Sequence, residues 1–312
     1  MIVKRNLNPA KVMTYIWPQM VLALVWSASV YVAYVQLNLT LIALPSFILL
    51  VLGGALAIFL GFRNNTSYGR WGEASQAWAV IINSSRIFGR LIITFVDSHR
   101  HTPQYQAEPA EAFKKEMLYR HLAWVNTLRL TLRGQTDWEI LRPFLSEAEY
   151  NLCLKKSNKL NYLLQRQGQR IYEAMAAGTL QGFDSFQLEG TLAQLAGQQA
   201  ICERLKTIPV PRQYDYFTRL FVWFFIILTP MCLVRTLVND NVGLMLVPVS
   251  LIFVFVFAVV ERTGAVNEEP FENRITDVPL TAWCRTIERD LKELLGEESL
   301  PPKSEAKNGY LF

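Results

Sequence analysis

The stretch Phe-Leu-Gly-Phe-Arg-Asn-Asn-Thr-Ser-Tyr-Gly-Arg-Trp occupies residues 59–71 and closes a long uncharged run. No Asp, Glu, Lys or Arg occurs in residues 12–62. A hydrocarbon core about 30 Å thick needs roughly 20 apolar residues per helical crossing, so this run holds two crossings and a tight turn. The turn is marked by the polar residues Gln36, Asn38 and Thr40. The sequence therefore predicts an all-α membrane protein.

Small side chains crowd the inner half of the second predicted crossing, residues 41–62. Gly54, Ile58 and Phe62 recur there at a spacing of four, which stacks them on one helix face. If several copies of this helix surround an axis, the face becomes a ring of apolar side chains, and such a ring gates ions by dewetting. Alternatively, the stripe packs against neighbouring helices, as most apolar stripes do. The residues alone leave both interpretations open.

Composition and charge indicate a protein with membrane and soluble parts. The chain has 312 residues, of which 51% are hydrophobic and 18% charged, with a formal net charge of +5. Basic residues precede the first crossing and follow the second, which predicts cytoplasmic flanks by the positive-inside rule: Lys4, Arg5, Lys11, Arg63 and Arg70. No basic cluster alternates with aromatic residues, so we expect no nucleic-acid partner.

The remaining chain predicts a helical soluble block and a second pair of crossings. Helical periodicity in the block covers residues 110–132, 147–175 and 184–206. Apolar segments at 217–234 and 242–260 then complete four crossings and return the chain to the cytoplasm, where a short helix follows at 281–295. The predicted division is 1–62 (cytoplasmic N-terminus and crossings 1 and 2), 63–213 (cytosolic helical domain), 214–260 (crossings 3 and 4) and 261–312 (cytosolic C-terminal segment).

Motifs for catalysis, metals or cofactors do not emerge. The sequence contains no P-loop, no G-x-S-x-G and no H-E-x-x-H, and the crossings lack a carboxylate pair. We therefore expect no enzyme and no cofactor. His99 and His101 with Asp97 are weak evidence for a metal site, given the ligand count that such a site needs. Four cysteines lie far apart and predict reduced packing residues: Cys153, Cys202, Cys232 and Cys284. Two kinds of function remain. One is a passive pore, which four crossings form only as an oligomer, and the other is a membrane scaffold.

Several motifs resemble those of the bacterial bestrophin homologues. The hallmark is the segment 57–65, Ala-Ile-Phe-Leu-Gly-Phe-Arg-Asn-Asn, followed by Tyr68 and Arg70. Further similar motifs are Cys-Glu-Arg-Leu at 202–205, the prolines Pro209 and Pro211, Glu268 to Phe271, Asp277 to Leu280, and Thr-Ile-Glu at 286–288. These motifs follow the family's order over most of the chain.

The resemblance implies a homopentameric channel in a bacterial inner membrane, with both termini cytoplasmic. Five copies of the second crossing would line the pore, and the cytosolic helical domain would form a vestibule. Matched through the hallmark motif, the neck positions are Gly54, Ile58 and Phe62, and a cytosolic aperture falls at Phe183. The expected partners are further copies of the chain, membrane lipid and permeant monovalent ions.

Departures from the family pattern bear on the pore and on calcium. Gly54 stands where an apolar side chain is usual, so the upper ring is expected to be wide or absent. Arg274 interrupts the acidic run that binds calcium in animal members, so we predict no calcium clasp. Bacterial members look cation-selective, whereas animal and plant members conduct anions. Asp184, beside Phe183, favours cations, so we predict sodium over chloride, with an anion channel and a non-conducting scaffold as alternatives.

Overall fold

The computed structural model describes residues 1–4, 9–101 and 105–312, and within these ranges the secondary structure is helical apart from isolated β-bridges. Arg5 and Pro103 lie outside them. The α-helices in chain order are α1 (Pro9–Val35), α2 (Phe47–Ser98), α3 (Ala107–Leu132), α4 (Glu147–Leu154), α5 (Lys159–Ala176), α6 (Gly182–Thr207), α7 (Arg212–Asn239), α8 (Leu246–Asn267) and α9 (Leu280–Leu294). The all-α prediction is confirmed for the described residues.

Four segments are long and apolar enough to cross a membrane, as the sequence predicted: Val12–Val35, Thr40–Ser98, Arg212–Asn239 and Gly243–Asn267. The short connections between the paired crossings contain residues with positive φ, Asn38 at 50° and Asn241 at 59°. Asparagine tolerates this left-handed backbone better than most residues because its side chain bonds locally. The polar turns thus end the apolar helices where the sequence placed them.

The chain divides into two compact units. We call Lys4–Trp71 with Pro209–Glu269 the apolar unit, and Met1–Val3 with Gly72–Ile208 and Pro270–Phe312 the amphipathic unit. The apolar unit has a core of Leu56, Leu60, Val222, Phe225 and Val254, contributed by α2, α7 and α8. Apolar side chains gain little from leaving lipid, so tight contact between such helices depends on close packing and polar bonds.

Gly264 shows how closely the helices of the apolar unit approach each other. A Cβ atom at this position would lie 2.0 Å from Oδ1 of Asn64, so any larger residue would require the Asn64 side chain to shift. The Asn64 amide nitrogen also donates to the carbonyl of Val260 at 3.1 Å. Asn64 belongs to the hallmark stretch, so this part of the motif serves contact between α2 and α8.

The amphipathic unit buries its largest side chains around α3. Trp78, Phe88, Phe113, Met117 and Trp124 are all nearly inaccessible. A Cβ atom on Gly89 would lie 2.5 Å from Leu291, so α2 and α9 are in close contact there. Dense packing of this kind makes the core intolerant of added volume.

The structure corrects three local predictions. The predicted helix at 147–175 is two helices, because Ser146 caps α4 and Asn158 caps α5 by accepting from the backbone of Glu149 and Asn161. The second crossing, predicted to end at residue 62, continues to Ser98 as one 52-residue helix, α2, whose interior contains no proline. α6 begins at Gly182, two residues before the predicted start at 184, and its N-cap residue is Gln181.

Candidate pore-lining face and its support

The three predicted neck positions share one outward face of α2. Ile58 is 64% exposed and Phe62 is 71% exposed within the chain. Around Gly54 the space is open, since no atom would lie within 4 Å of an added Cβ. On the opposite side of the helix, Leu56 and Leu60 are only 3% and 1% exposed. Packing within the chain therefore uses the Leu56 side and leaves the face with Ile58 and Phe62 uncovered.

Phe183, the predicted aperture residue, belongs to the amphipathic unit and stands in the first turn of α6. Its ring is 68% exposed and meets Phe95 edge to face, with ring centroids 6.4 Å apart. Phe186, one turn further along α6, is also exposed. Two large aromatic side chains therefore point away from the core at the start of this helix.

Asp184 does not present a carboxylate beside Phe183, contrary to the argument made from the sequence. The residue is 6% exposed. Its Oδ2 atom accepts from the backbone N–H of Gln181 at 2.9 Å and lies 2.7 Å from Nε2 of His99. A side chain that completes the capping of α6 is committed to the fold. Asp184 therefore gives no support to a preference for cations.

Arg63, the residue after Phe62, is the centre of a buried charge cluster in the apolar unit. Its side chain is 3% exposed. The guanidinium forms ion pairs with Asp215 at 2.5 Å, Glu268 at 3.1 Å and Glu261 at 3.2 Å. Arg219 pairs with the same Asp215 carboxylate. Removing one partner from a buried cluster leaves uncompensated charge, so these contacts bind α2 firmly to α7 and α8.

Other residues of the hallmark stretch continue this attachment. Nε of Arg70 donates to the backbone carbonyl of Glu268 at 3.0 Å. Together with the Asn64 bond to α8 and the ion pairs of Arg63, this contact fixes the rotation of α2 about its own axis in this unit. These contacts decide which face of α2 is left exposed.

Sequence reasoning missed the Arg63 cluster, because it used Arg63 only as a sign of membrane orientation. Asp215, Glu261 and Glu268 lie 152, 198 and 205 residues away along the chain. A useful signal was present: acidic residues stand just before the third crossing and just after the fourth, and in a four-crossing chain both positions lie on the same side as Arg63, which follows the second. A buried arginine needs carboxylate partners.

In the acidic loop between α8 and α9, the Asp277 carboxylate serves the backbone. Its oxygens accept from the N–H groups of Phe271 at 3.0 Å, Asn273 at 2.9 Å and Val278 at 2.7 Å. Within the described ranges, no group of three or more His, Cys, Asp or Glu is placed to hold a metal ion. Phe271 and Asn273 both have positive φ, so Asp277 stabilises an unusual loop conformation.

These features define a polytopic α-helical membrane protein with an uncovered apolar helix face. The chain belongs to the bestrophin family: the profile of the family described as Bacterial/Fungal Bestrophin protein matches residues 6–293. The resemblance drawn from the motifs is thereby confirmed. At the level of the family, the function is that of an ion channel and not of an enzyme.

Relatives and solved structures agree with this assignment. The voltage-dependent anion channel-forming protein YneE of Escherichia coli K12 is 29% identical over 253 residues, covering 81% of this chain and 78% of that protein. The voltage-dependent anion channel-forming protein RSc3414 of Ralstonia nicotianae is 28% identical over 258 residues, covering 82% and 79%. A crystal structure of a bacterial bestrophin homologue from Klebsiella pneumoniae, 28% identical, superposes with a TM-score of 0.80 over 91% of this chain and 100% of that one.

Proposed function

We propose that this chain assembles as a homopentamer whose five α2 helices surround a passive pore for monovalent ions. Gly54, Ile58 and Phe62 form the neck of that pore, and Phe183 forms an aperture on the cytosolic side. The observation that carries the proposal is the uncovered apolar face of α2, which its own chain holds in a fixed rotation through Arg63.

The exposure of the four apolar segments supports α2 as the pore helix. In the most apolar stretch of α2 only 11% of residues are buried within the chain, whereas 39% are buried in the corresponding stretch of Arg212–Asn239. A helix with so little cover in its own chain needs other surroundings, either lipid or further copies of the chain. Lipid alone does not explain why small residues and open glycines collect on this face, whereas close helix approach does.

Side-chain size sets the profile of the proposed neck. Ile58 and Phe62 place two successive apolar rings one helical turn apart, about 6 Å along the axis. Gly54 leaves the outer ring wide. Apolar constrictions of this kind resist wetting and control ion flow without any fixed charge. The neck therefore acts as a gate, and ion selectivity arises elsewhere in the pore.

The proposed placement is a bacterial inner membrane with both termini cytoplasmic. Residues 1–62 and 214–260 supply the four crossings, residues 63–213 the vestibule, and residues 261–312 a cytosolic C-terminal segment. The basic residues that flank the crossings and the acidic cluster around Arg63 at their inner ends support this orientation. Lipid covers the outward faces of the other three crossings.

For the permeant ion we propose sodium, with chloride as the second candidate. Sodium follows from the resemblance to the bacterial members, which look cation-selective. The names of the relatives favour an anion, and the buried Asp184 carboxylate removes the one local argument for cations. The reversal potential of purified protein in bilayers under a sodium chloride gradient distinguishes the two candidates, since it falls near the sodium or the chloride equilibrium value.

Flux from proteoliposomes tests the neck. We expect Ile58→Ala and Phe62→Ala each to raise ion flux, because a shorter side chain widens an apolar ring and eases its wetting. Ile252 on α8 is the matched control, since it is also an isoleucine and also 64% exposed. Ile252→Ala should leave flux unchanged.

The same preparation checks the assembly. Its mass in detergent, measured by light scattering, should correspond to five chains for the wild type and for all three variants. If the Ile58 and Phe62 variants are pentamers and conduct like the wild type, these residues do not form the neck. A pentamer with no flux in any variant, including those with the shortened neck, would favour the scaffold alternative.

A further inference from the structure

Two arginines near the end of α3 form a basic pair inside the amphipathic unit. Arg129 and Arg133 are four residues apart, so their side chains leave the same face of the helix. Arg129 is 7% exposed, and Nε of each arginine is buried without an acceptor. Among the described residues, the Arg129 side chain has no hydrogen-bond or ion-pair partner. Buried guanidinium groups are normally paired, so this pair lacks its counter-charge.

The nearby acidic groups are already engaged elsewhere. Asp277 is close enough to influence the pKa of Arg133, yet its oxygens accept three backbone N–H groups. Glu288, on α9, pairs with Arg285 at 2.8 Å and with Lys292 at 3.1 Å. Among the described residues, neither carboxylate forms an ion pair with Arg129 or Arg133. Burial and the charge of Arg129 both lower the pKa of Arg133, and the negative charge of Asp277 opposes them only in part.

The neighbouring groups suit an anion that accepts several hydrogen bonds. Nη1 of Arg133 donates to the Thr281 hydroxyl oxygen at 2.6 Å, which leaves the hydroxyl hydrogen free to donate onward. Planar guanidinium groups bind oxyanions through two parallel N–H groups each, a geometry that a spherical ion does not use.

We propose that Arg129 and Arg133 form a binding site for a small inorganic oxyanion of the phosphate class within the amphipathic unit. The Thr281 hydroxyl supplies a further donor. The site shares no residue with the predicted neck and aperture, and it requires no assumption about which ion the channel conducts. The bound anion supplies the negative counter-charge for Arg129 and Arg133, and it stabilises the packing of α3 against α9.

Isothermal titration calorimetry on the detergent-purified full chain tests the site, with sodium phosphate as the probe at constant ionic strength. We expect saturable binding to the wild type and a rise of its thermal unfolding midpoint with phosphate concentration. Arg133→Gln and Arg129→Met should each weaken the binding by about tenfold or more, since each removes charged donors. Arg166 provides the matched control, because its side chain donates to Gln169 and forms no ion pair among the described residues. Arg166→Gln should bind like the wild type.

Arg129→Lys keeps the charge but not the planar fork, so we expect affinity between that of the wild type and that of Arg129→Met. This variant also guards against misfolding as the cause of lost binding. Absence of both heat and thermal shift in the wild type would overturn the proposal, as would equal affinity in all variants. A smaller oligomer for Arg129→Met, with no phosphate binding in the wild type, would instead indicate a carboxylate from a neighbouring copy.

Discussion

One buried arginine in each unit has very different surroundings. In the apolar unit, Arg63 is 5% exposed and is surrounded by three carboxylates. The amphipathic unit also pairs buried cations internally, as in the ion pair of Arg120 with Glu149. In the same unit, however, Arg129 is 7% exposed and has no such partner among the described residues, and His121 is fully buried with Nδ1 unbonded. Internal pairing is therefore complete at Arg63 and incomplete at Arg129 and His121.

The largest expected effect comes from breaking the Arg63 cluster. Arg63→Met leaves the buried Glu261 and Glu268 carboxylates without their shared cation, so we expect the free energy of unfolding to fall by about 3–5 kcal/mol. Chemical unfolding in detergent, followed by tryptophan fluorescence, measures this loss. Arg235→Met is the control, because Arg235 is an exposed arginine of α7 in the same unit. If the two variants unfold alike, the cluster does not stabilise the apolar unit.

A pH titration probes the amphipathic unit. Burial lowers the pKa of His121 to about 3, and Nε2 lies 2.8 Å from the Ser85 hydroxyl. The folded-state pKa is below the ordinary value of about 6.5, so the unfolded chain binds the extra proton first. The free energy of unfolding is therefore highest at pH values above the ordinary pKa of histidine. Below that pKa it falls by up to about 1.4 kcal/mol per pH unit, until the pH reaches the folded-state pKa of His121.

Unfolding curves at pH 7 and pH 5 measure this dependence. His121→Gln should reduce the loss of stability on acidification, whereas His101→Gln, at an exposed position, should retain it. A dependence that persists unchanged in His121→Gln would assign the proton uptake to other groups.

The smallest effect, and one of opposite sign, is expected at Arg129. In buffer without phosphate or sulfate, Arg129→Met replaces an unpaired buried charge by an apolar side chain of similar length. We therefore expect the free energy of unfolding to rise by up to about 1 kcal/mol. Adding phosphate should stabilise the wild type and reverse the order of the two proteins. A loss of stability as large as that of Arg63→Met would mean that Arg129 has a partner within the assembly.

Composition and periodicity predicted the helical class and the four crossings, because a membrane core requires long uncharged segments whatever their neighbours. The same reasoning ended the second crossing at Phe62, since a change from apolar to charged composition resembles a helix end although no proline interrupts the backbone of α2. Propensity and patterning thus identified the segments but not their continuity.

The surroundings of the candidate site were harder to predict. The Arg63 cluster joins residues from three helices that are distant in sequence, and pattern within a segment carries no information about such pairs. Asp184 was misread because a carboxylate that completes a cap and one that faces a pore occupy the same kind of sequence position, the first turn of a helix. The spacing of Gly54, Ile58 and Phe62 did predict that they share a face of α2.

All four cysteines are buried free thiols. Burial raises the pKa of Cys153 to about 11 and those of Cys202 and Cys284 to about 12, so little reactive thiolate forms there at neutral pH. The native chain is thus a ready background for chemical labelling. A cysteine introduced at Ile58 or Phe62 would react with a polar maleimide ahead of the native four, so the wetting of each position can be mapped without a cysteine-free variant.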